Sequence, residues 1–199
     1  MIDPSAVAGL ARSFGDESDG AATKSFELIL MLLERSPSPF SREQFTPGHI
    51  TTSGLVVSPD GGRMLIVHHK RLERWLLPGG HVEPDDASIE RASAREVLEE
   101  TGVAVCDGML GSADVHGIPG KGHEPYHLHH DLLFVFRATS EALQVSEESH
   151  AVAWCSPAEF DRYGIPGNVR RAWVRGKTRS WATRWAGGPW RHHSAAAHK

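Results

Sequence analysis

Three glutamates, Glu96, Glu99 and Glu100, are spaced so that a single helix would present them together. At about 100° per residue their directions fall within an arc of about 100°. Ile89 and Ala92 lie on the same arc, two turns and one turn earlier. The carboxylates therefore continue an apolar, inward-looking stripe and not a solvent face. Packed that closely they repel one another and resist losing water. A hard divalent cation relieves both costs, because Mg²⁺ favours oxygen ligands and retains several waters. Arg95 precedes Glu99 by one helical turn and can pair with it along the helix, fixing its orientation. Gly79-Gly80, read as a turn ahead of the helix, would let backbone approach a metal or phosphate where a side chain would obstruct. A solvated acidic helix face has the same carboxylate spacing. The glycine pair, the arginine and Gly102 placed as a C-cap tip the reading toward a cation site.

A second chemical signature lies in Tyr126-His127-Leu128-His129-His130-Asp131-Leu132-Leu133-Phe134. In a strand, alternate residues share a face. Tyr126, Leu128, His130, Leu132 and Phe134 then make one mostly apolar face, and His127, His129 and Asp131 begin the other. Imidazoles and a carboxylate at alternate positions suit a metal. They equally suit a polar cleft wall touching phosphate or ribose, or a set of partly solvated histidines. The glycine-rich Gly117–Pro125 segment before them reads as a loop bordering a site.

The elements that must position these groups follow from periodicity. Lys24 to Arg35 carries Phe26, Ile29, Leu30 and Leu33 on one helical stripe, and Ser36-Pro37-Ser38-Pro39 stops it. Ile50–Val57 and Met64–His68 read as strands joined by a turn at Pro59-Asp60-Gly61-Gly62. Trp75–Leu77, Val103–Val105, Tyr126–Phe136 and Ala151–Trp154 read as further strands. Helices are expected from about Ser88 to Thr101, at Ser156–Glu159 with Pro157 in its first turn, and near Asn168 to Arg175. Strands, a central helix, more strands and a late helix imply a mixed α/β sheet with helices on its faces.

With 199 residues, 40% hydrophobic and 23% charged, the chain suits one domain with extensions. No apolar run reaches the roughly 20 residues of a membrane span, and Met1-Ile2-Asp3-Pro4 is unlike a signal peptide, so a cytoplasmic protein with no membrane partner is expected. Cys106 and Cys155 lie outside any metal spacing and read as reduced, buried thiols. Beyond Asp161 every charged residue is Lys or Arg. Trp173, Trp181, Trp185 and Trp190 are interleaved with them, a mixture that can bind nucleic acid. The plainer reading is a helix packing on the domain, or on the mate of a homodimer, followed by a loosely ordered end.

From Arg95 to Val103 the residues match a Nudix box throughout, and Leu77–Pro84 is similar to its usual lead-in, so the chain resembles the Nudix hydrolases over about residues 46–165. The resemblance implies an α/β/α sandwich around a mixed sheet, with residues 1–45 as an N-terminal helical extension and 166–199 as a C-terminal helix and basic tail. It implies Mg²⁺, or Mn²⁺, held by Glu96, Glu99, Glu100 and the Gly80 carbonyl beside Arg95. The expected reaction is in-line water attack on the diphosphate of a nucleoside diphosphate derivative. A carboxylate of the box or of a later loop, with Glu147 and Glu148 as candidates, would take the water's proton. His69, Lys70, Arg71 and Arg74, together with His127 and His129, are candidate substrate contacts, while Trp75 is read as core. One departure stands out. Counting back from Arg95 puts Ala87 where the family has glutamate, and counting forward from Gly80 puts Asp86 there. The loop thus carries an extra residue, and Asp85 or Asp86 is expected to orient Arg95 instead. The alternatives are a Nudix-fold nucleotide-binding or regulatory domain without turnover, and an isoprenoid diphosphate isomerase of related fold, which would need a catalytic cysteine.

Overall fold

β1 (Gly48–Val57) is buried along nearly its whole length, without the alternation of a half-exposed strand. It is enclosed laterally by other strands and covered on both faces, as central strands of sandwiches are. The computed structural model describes residues 2–14 and 19–184. Around β1 lie β2 (Met64–His69), β3 (Arg74–Leu76), β4 (Gly79–His81), β5 (Val105–Ile118), β6 (His127–Ala138) and β7 (Ser149–Cys155). The order is β3-β2-β1-β6-β5, with β4 pairing β1 and β7 pairing β2. The β1–β6 pair is parallel, with His49 opposite His129 and Thr51 opposite Asp131; the other pairs are antiparallel. The sheet is therefore mixed.

Alternate residues of β1 and β6 face opposite layers. Ile50, Val56, Leu132 and Phe134 pack with α1 (Pro4–Arg12), α2 (Gly20–Arg35) and α3 (Ile89–Thr101). Leu55, Val57, Leu133 and Val135 pack with Phe160 and with Val169, Ala172 and Trp173 of α4 (Gly167–Arg184). Helices thus cover both faces, the α/β/α arrangement expected. α3 begins where the Ser88 side chain accepts from the Arg91 N–H and ends at Gly102, whose φ of 70° is left-handed. It lies close on the sheet because β1 carries glycine at position 54, where a Cβ would sit 2.4 Å from Val97 Cγ2.

Several expectations need correction. Gly79-Gly80 is no turn: it forms β4, with Gly79 opposite Ser53 and Gly80 opposite Thr52. A Cβ at Gly79 would approach the Thr52 carbonyl oxygen to 2.4 Å, so glycine lets this strand lie against β1. β5 runs well past Val105, because two bulges, at Cys106/Met109 and Leu110/Ser112, interrupt the period of two that would have revealed it. Cys106, on this edge strand, is only half-buried, whereas Cys155 is fully buried; burial pushes both thiols up to about 11, far from nucleophilic. Trp173 is core. The side chain of Trp181, with Trp185 and Trp190, lies outside the described residues. Among the described residues no helix is long and apolar enough to cross a membrane.

The N- and C-terminal helices meet at Asp19. Its Oδ1 caps α2 by accepting from Ala22 N, and its Oδ2 accepts from Arg171 Nε and Arg175 Nη1, each at 2.9 Å. Arg175 also donates to the Gly111 carbonyl of β5, so one carboxylate ties α2, α4 and the sheet edge. Burial alone would raise the Asp19 pKa, but the two guanidinium bonds and the cap outweigh it and hold it at about 2. A depressed carboxyl contributes its full stability above the unfolded value near 4 and loses it as pH falls through 2. Asp19→Asn should therefore cost about 2 kcal/mol at neutral pH, and the deficit should shrink as pH falls from about 4 to about 2. Urea denaturation of both proteins across that range checks it. A deficit that persists undiminished at the acid end contradicts it.

Candidate active site

The Arg95 guanidinium is the centre of the site. Nε and Nη2 donate to Asp86 Oδ1 and Oδ2 at 3.1 and 3.0 Å, and Nη2 also donates to the His81 carbonyl at 2.9 Å. Nη1 donates to Glu96 Oε1 at 2.9 Å and Glu99 Oε2 at 3.0 Å. This fork joins the loop before α3, strand β4 and two helix carboxylates in one network. Of the two aspartates left open by the sequence, Asp86 takes the role; Asp85 is exposed. Asp86 is only 8% exposed and its Oδ2 also accepts from Glu83 N at 2.8 Å. Burial opposes its charge, but the bonds from Arg95 and Glu83 hold its carboxyl below the ordinary range.

Glu100 is buried, and one oxygen accepts from Gly79 N at 3.2 Å. Burial pushes its carboxyl up to about 8; the Gly79 bond opposes this, and repulsion from Glu96, Glu148 and Glu99 adds to it. Burial also raises Glu96, in spite of its bond to Arg95. The Glu99 side chain is 57% exposed. β4 passes directly over Glu96: a Cβ at Gly80 would lie 2.8 Å from the carboxyl atoms. The donor set is all oxygen, crowded and partly stripped of water, which fits a hard divalent cation. Glu96 and Glu99 turn toward Arg95 while Glu100 turns toward Gly79. Among the described residues one group of three brings its ligand atoms within 4.8 Å of one another, and it is made of histidines.

These carboxylates line a cleft of about 1380 Å³. Lys70, Arg71 and Arg74, between and at the ends of β2 and β3, stand on its rim, and Glu147 and Glu148 line it before β7. Trp75, expected in the core, has one side against the Leu55 cluster while it lines the cleft edge-on to Tyr163, with ring centroids 5.0 Å apart. The register of β6 puts His129 on the cleft wall with His81 and His116. His127 lies behind the wall, 4% exposed, and is not among the cleft-lining residues. Asp131 is occupied as acceptor from Thr51 Oγ1 at 3.0 Å, and burial raises its carboxyl.

Sequence reasoning missed His49. Its ring stands 5.1, 5.1 and 5.0 Å from those of His81, His127 and His129, and His116 adjoins His129 at 5.7 Å. Burial lowers His49, takes His81 down to about 4 and His129 to about 2, with repulsion among the rings adding to each. The only signal for His49 was a lone histidine opening a strand, and its partners are reached through the parallel pairing of β1 with β6.

The sequence model of the family described as NUDIX domain matches residues 48–173. A Bacillus subtilis (strain 168) protein named as a candidate 8-oxo-dGTP diphosphatase is 30% identical over 118 residues, covering 59% of this chain and 73% of the relative. A MutT-like protein of Streptomyces ambofaciens is 34% identical over 111 residues, covering 55% of this chain and 65% of the relative. Among solved structures, the NUDIX domain of Shewanella oneidensis NrtR complexed with ADP ribose is 18% identical with a TM-score of 0.49, over 64% of this chain and 86% of that one. A MutT NUDIX hydrolase from Burkholderia pseudomallei is 25% identical with a TM-score of 0.48, over 63% and 95%.

The Asp86–Arg95 pair can be tested against the neighbouring Ala87, which is exposed. Asp86→Ala should lower stability by about 2–3 kcal/mol, since it leaves a half-buried guanidinium short of its two-pronged partner. Ala87→Glu, which restores the family's residue, should stay within about 0.5 kcal/mol of the parent. Urea denaturation of the two variants checks this; parental stability of Asp86→Ala contradicts it.

Proposed function

The chain belongs to the NUDIX family, and on that premise we propose that it is a Mg²⁺-dependent hydrolase of nucleoside diphosphate derivatives whose cation is held by Glu96, Glu99, Glu100 and the Gly80 carbonyl. The family and the MutT-like relatives make it a pyrophosphohydrolase acting on phosphorus-containing anhydrides. What supports the finer reading is one observation: Glu96 and Glu99, organised by a single arginine, and Glu100, held by the Gly79 N–H, stand beside a glycine strand at the side of a large cleft with a basic rim. When bound, the divalent ion neutralises diphosphate oxygens and lowers the pKa of a coordinated water.

The chain's own groups supply the rest. Arg95 holds Glu96 and Glu99 in place, and the Gly79 N–H holds Glu100. Arg71 and Arg74 attract the substrate's remaining phosphate charge from the cleft rim. Trp75 and Tyr163 offer ring surface to a nucleobase, and His129, farther along the cleft on β6, offers a polar contact. Glu148, which lines the cleft and whose charge opposes ionisation of Glu96 and Glu100, takes the proton of the attacking water. The 8-oxo-dGTP named for one relative is a natural first compound for a substrate screen, with ADP-ribose, nucleotide sugars and dinucleoside polyphosphates beside it.

Such a screen with Mg²⁺ or Mn²⁺, reading products by mass, should find a nucleoside monophosphate among the products of at least one compound; no turnover of any at saturating metal would remove the reading. Against the best substrate, Glu99→Gln and Glu100→Gln should each lower kcat by about 10²-fold or more. Gly80→Ala forces only the tip of Glu96 to move, so its melting temperature should stay parental while kcat falls by about 10-fold or more. Near-parental rates in all three variants would separate these residues from the reaction.

A further inference from the structure

We propose that His49, His127 and His129 form a second metal site, for a transition metal of the Zn²⁺ class, set into the sheet beside the cleft and separate from the glutamates of α3. The three side chains each offer a ring nitrogen, and these nitrogens lie within 4.8 Å of one another. Nitrogens bound to one tetrahedral zinc at about 2.0–2.1 Å stand roughly 3.4 Å apart, so the rings need to close by no more than about 1.4 Å. The backbone already sets the group. His49 and His129 are direct partners across the parallel β1–β6 pair, and His127 is two residues earlier on the same face of β6.

The hydrogen bonds around the rings choose the nitrogen that faces the metal. His49 Nδ1 contacts the Gln44 carbonyl at 3.2 Å, and His127 Nδ1 contacts the Pro125 carbonyl at 2.9 Å. A carbonyl only accepts, so each Nδ1 carries the proton and each Nε2 presents its lone pair, the outer-shell arrangement that fixes metal-bound histidines. The His49 Nε2 atom is buried without a hydrogen-bond partner, on a residue 1% exposed. A buried polar atom left so is costly, and a bound cation satisfies it. The group contains no carboxylate: Asp131, the third member expected from the strand pattern, is turned to Thr51. Three imidazoles suit Zn²⁺, Ni²⁺ or Cu²⁺ and are poor ligands for Mg²⁺, whereas the oxygens of Glu96, Glu99 and Glu100 have the reverse preference. Three protein ligands also leave one tetrahedral position vacant. Because His129 lines the cleft, that position is open to water or to an oxygen of a bound molecule.

The test uses the full chain, stripped of metal, with His192, His193 and His198 changed to alanine so that the terminal histidines take no ion. Co²⁺ is titrated in the presence of excess Mg²⁺ and followed by its d–d absorption. One equivalent should bind with the intense visible bands of four-coordinate cobalt, be displaced by Zn²⁺ and be unaffected by further Mg²⁺. His127→Gln and His129→Gln, each checked by thermal melting, should weaken binding by about 100-fold. The double variant Glu99→Gln/Glu100→Gln should bind as the parent does. The proposal is overturned by weak six-coordinate bands or no uptake in the parent, which needs no variant to fold. It is equally overturned by parental affinity in folded His127→Gln and His129→Gln, or by loss of the bands in the glutamate double variant. The readout is cobalt binding and not turnover, so the carboxylate reading is tested separately by the substrate screen.

Discussion

A half-buried guanidinium cannot be left with idle N–H groups, and Arg95 meets that demand by drawing four acceptors toward itself. Two of them, Asp86 and the His81 carbonyl, belong to the segment before α3; the other two, Glu96 and Glu99, belong to the helix itself. The arginine therefore sets where β4 and its following loop lie relative to the helix. Once β4 is placed, Gly80 stands over Glu96 and the Gly79 N–H meets Glu100. The remaining features of the site follow from this fixed corner: a charge concentration that resists ionisation, an absence of side chain above it, and a cleft opening from it.

Electrostatics in the two parts of the cleft run in opposite directions. On the α3 side burial and crowding raise Glu96 and Glu100, so additional positive charge is favoured there. On the β6 side burial and mutual repulsion disfavour protonation of His49, His81 and His129, whereas the bond to Asp114 raises His116. Anionic attraction to the cleft comes from the rim, where Lys70, Arg71 and Arg74 are exposed. The division gives the interior to cations and the entrance to anions, as a site that brings a metal and a phosphate chain together requires.

Much of the geometry around α3 was legible in the sequence because it is local. The helix carboxylates, the start near Ser88 and the Gly102 end lie within a few turns of one another, and the loop count narrowed the partner of Arg95 to Asp85 or Asp86, of which the structure selects Asp86. The alternation of β6 correctly divided His127, His129 and Asp131 from the apolar face. What was hidden depends on pairing between distant segments. His49 reaches His129 only through a parallel register set by neighbours eighty positions away, and Asp131 leaves the histidines for Thr51 through the same pairing. β4 was hidden because two glycines signal a turn and not a strand that must lie close on its neighbour. β5 was hidden by its bulges, and the clasp of Asp19 by Arg171 and Arg175 joins the two ends of the chain.

The corner built on Arg95 is proposed to hold a divalent cation among Glu96, Glu99, Glu100 and the Gly80 carbonyl. Anomalous diffraction from crystals grown with Mn²⁺ reads this directly, since the ion's scattering marks its position without reference to any substrate. The prediction is a strong anomalous peak with oxygen neighbours at about 2.0–2.2 Å from at least two of those carboxylates, with Asp86 still paired to Arg95. Saturating Mn²⁺ that leaves this corner without a peak, its carboxylates still turned to Arg95 and Gly79, would contradict it.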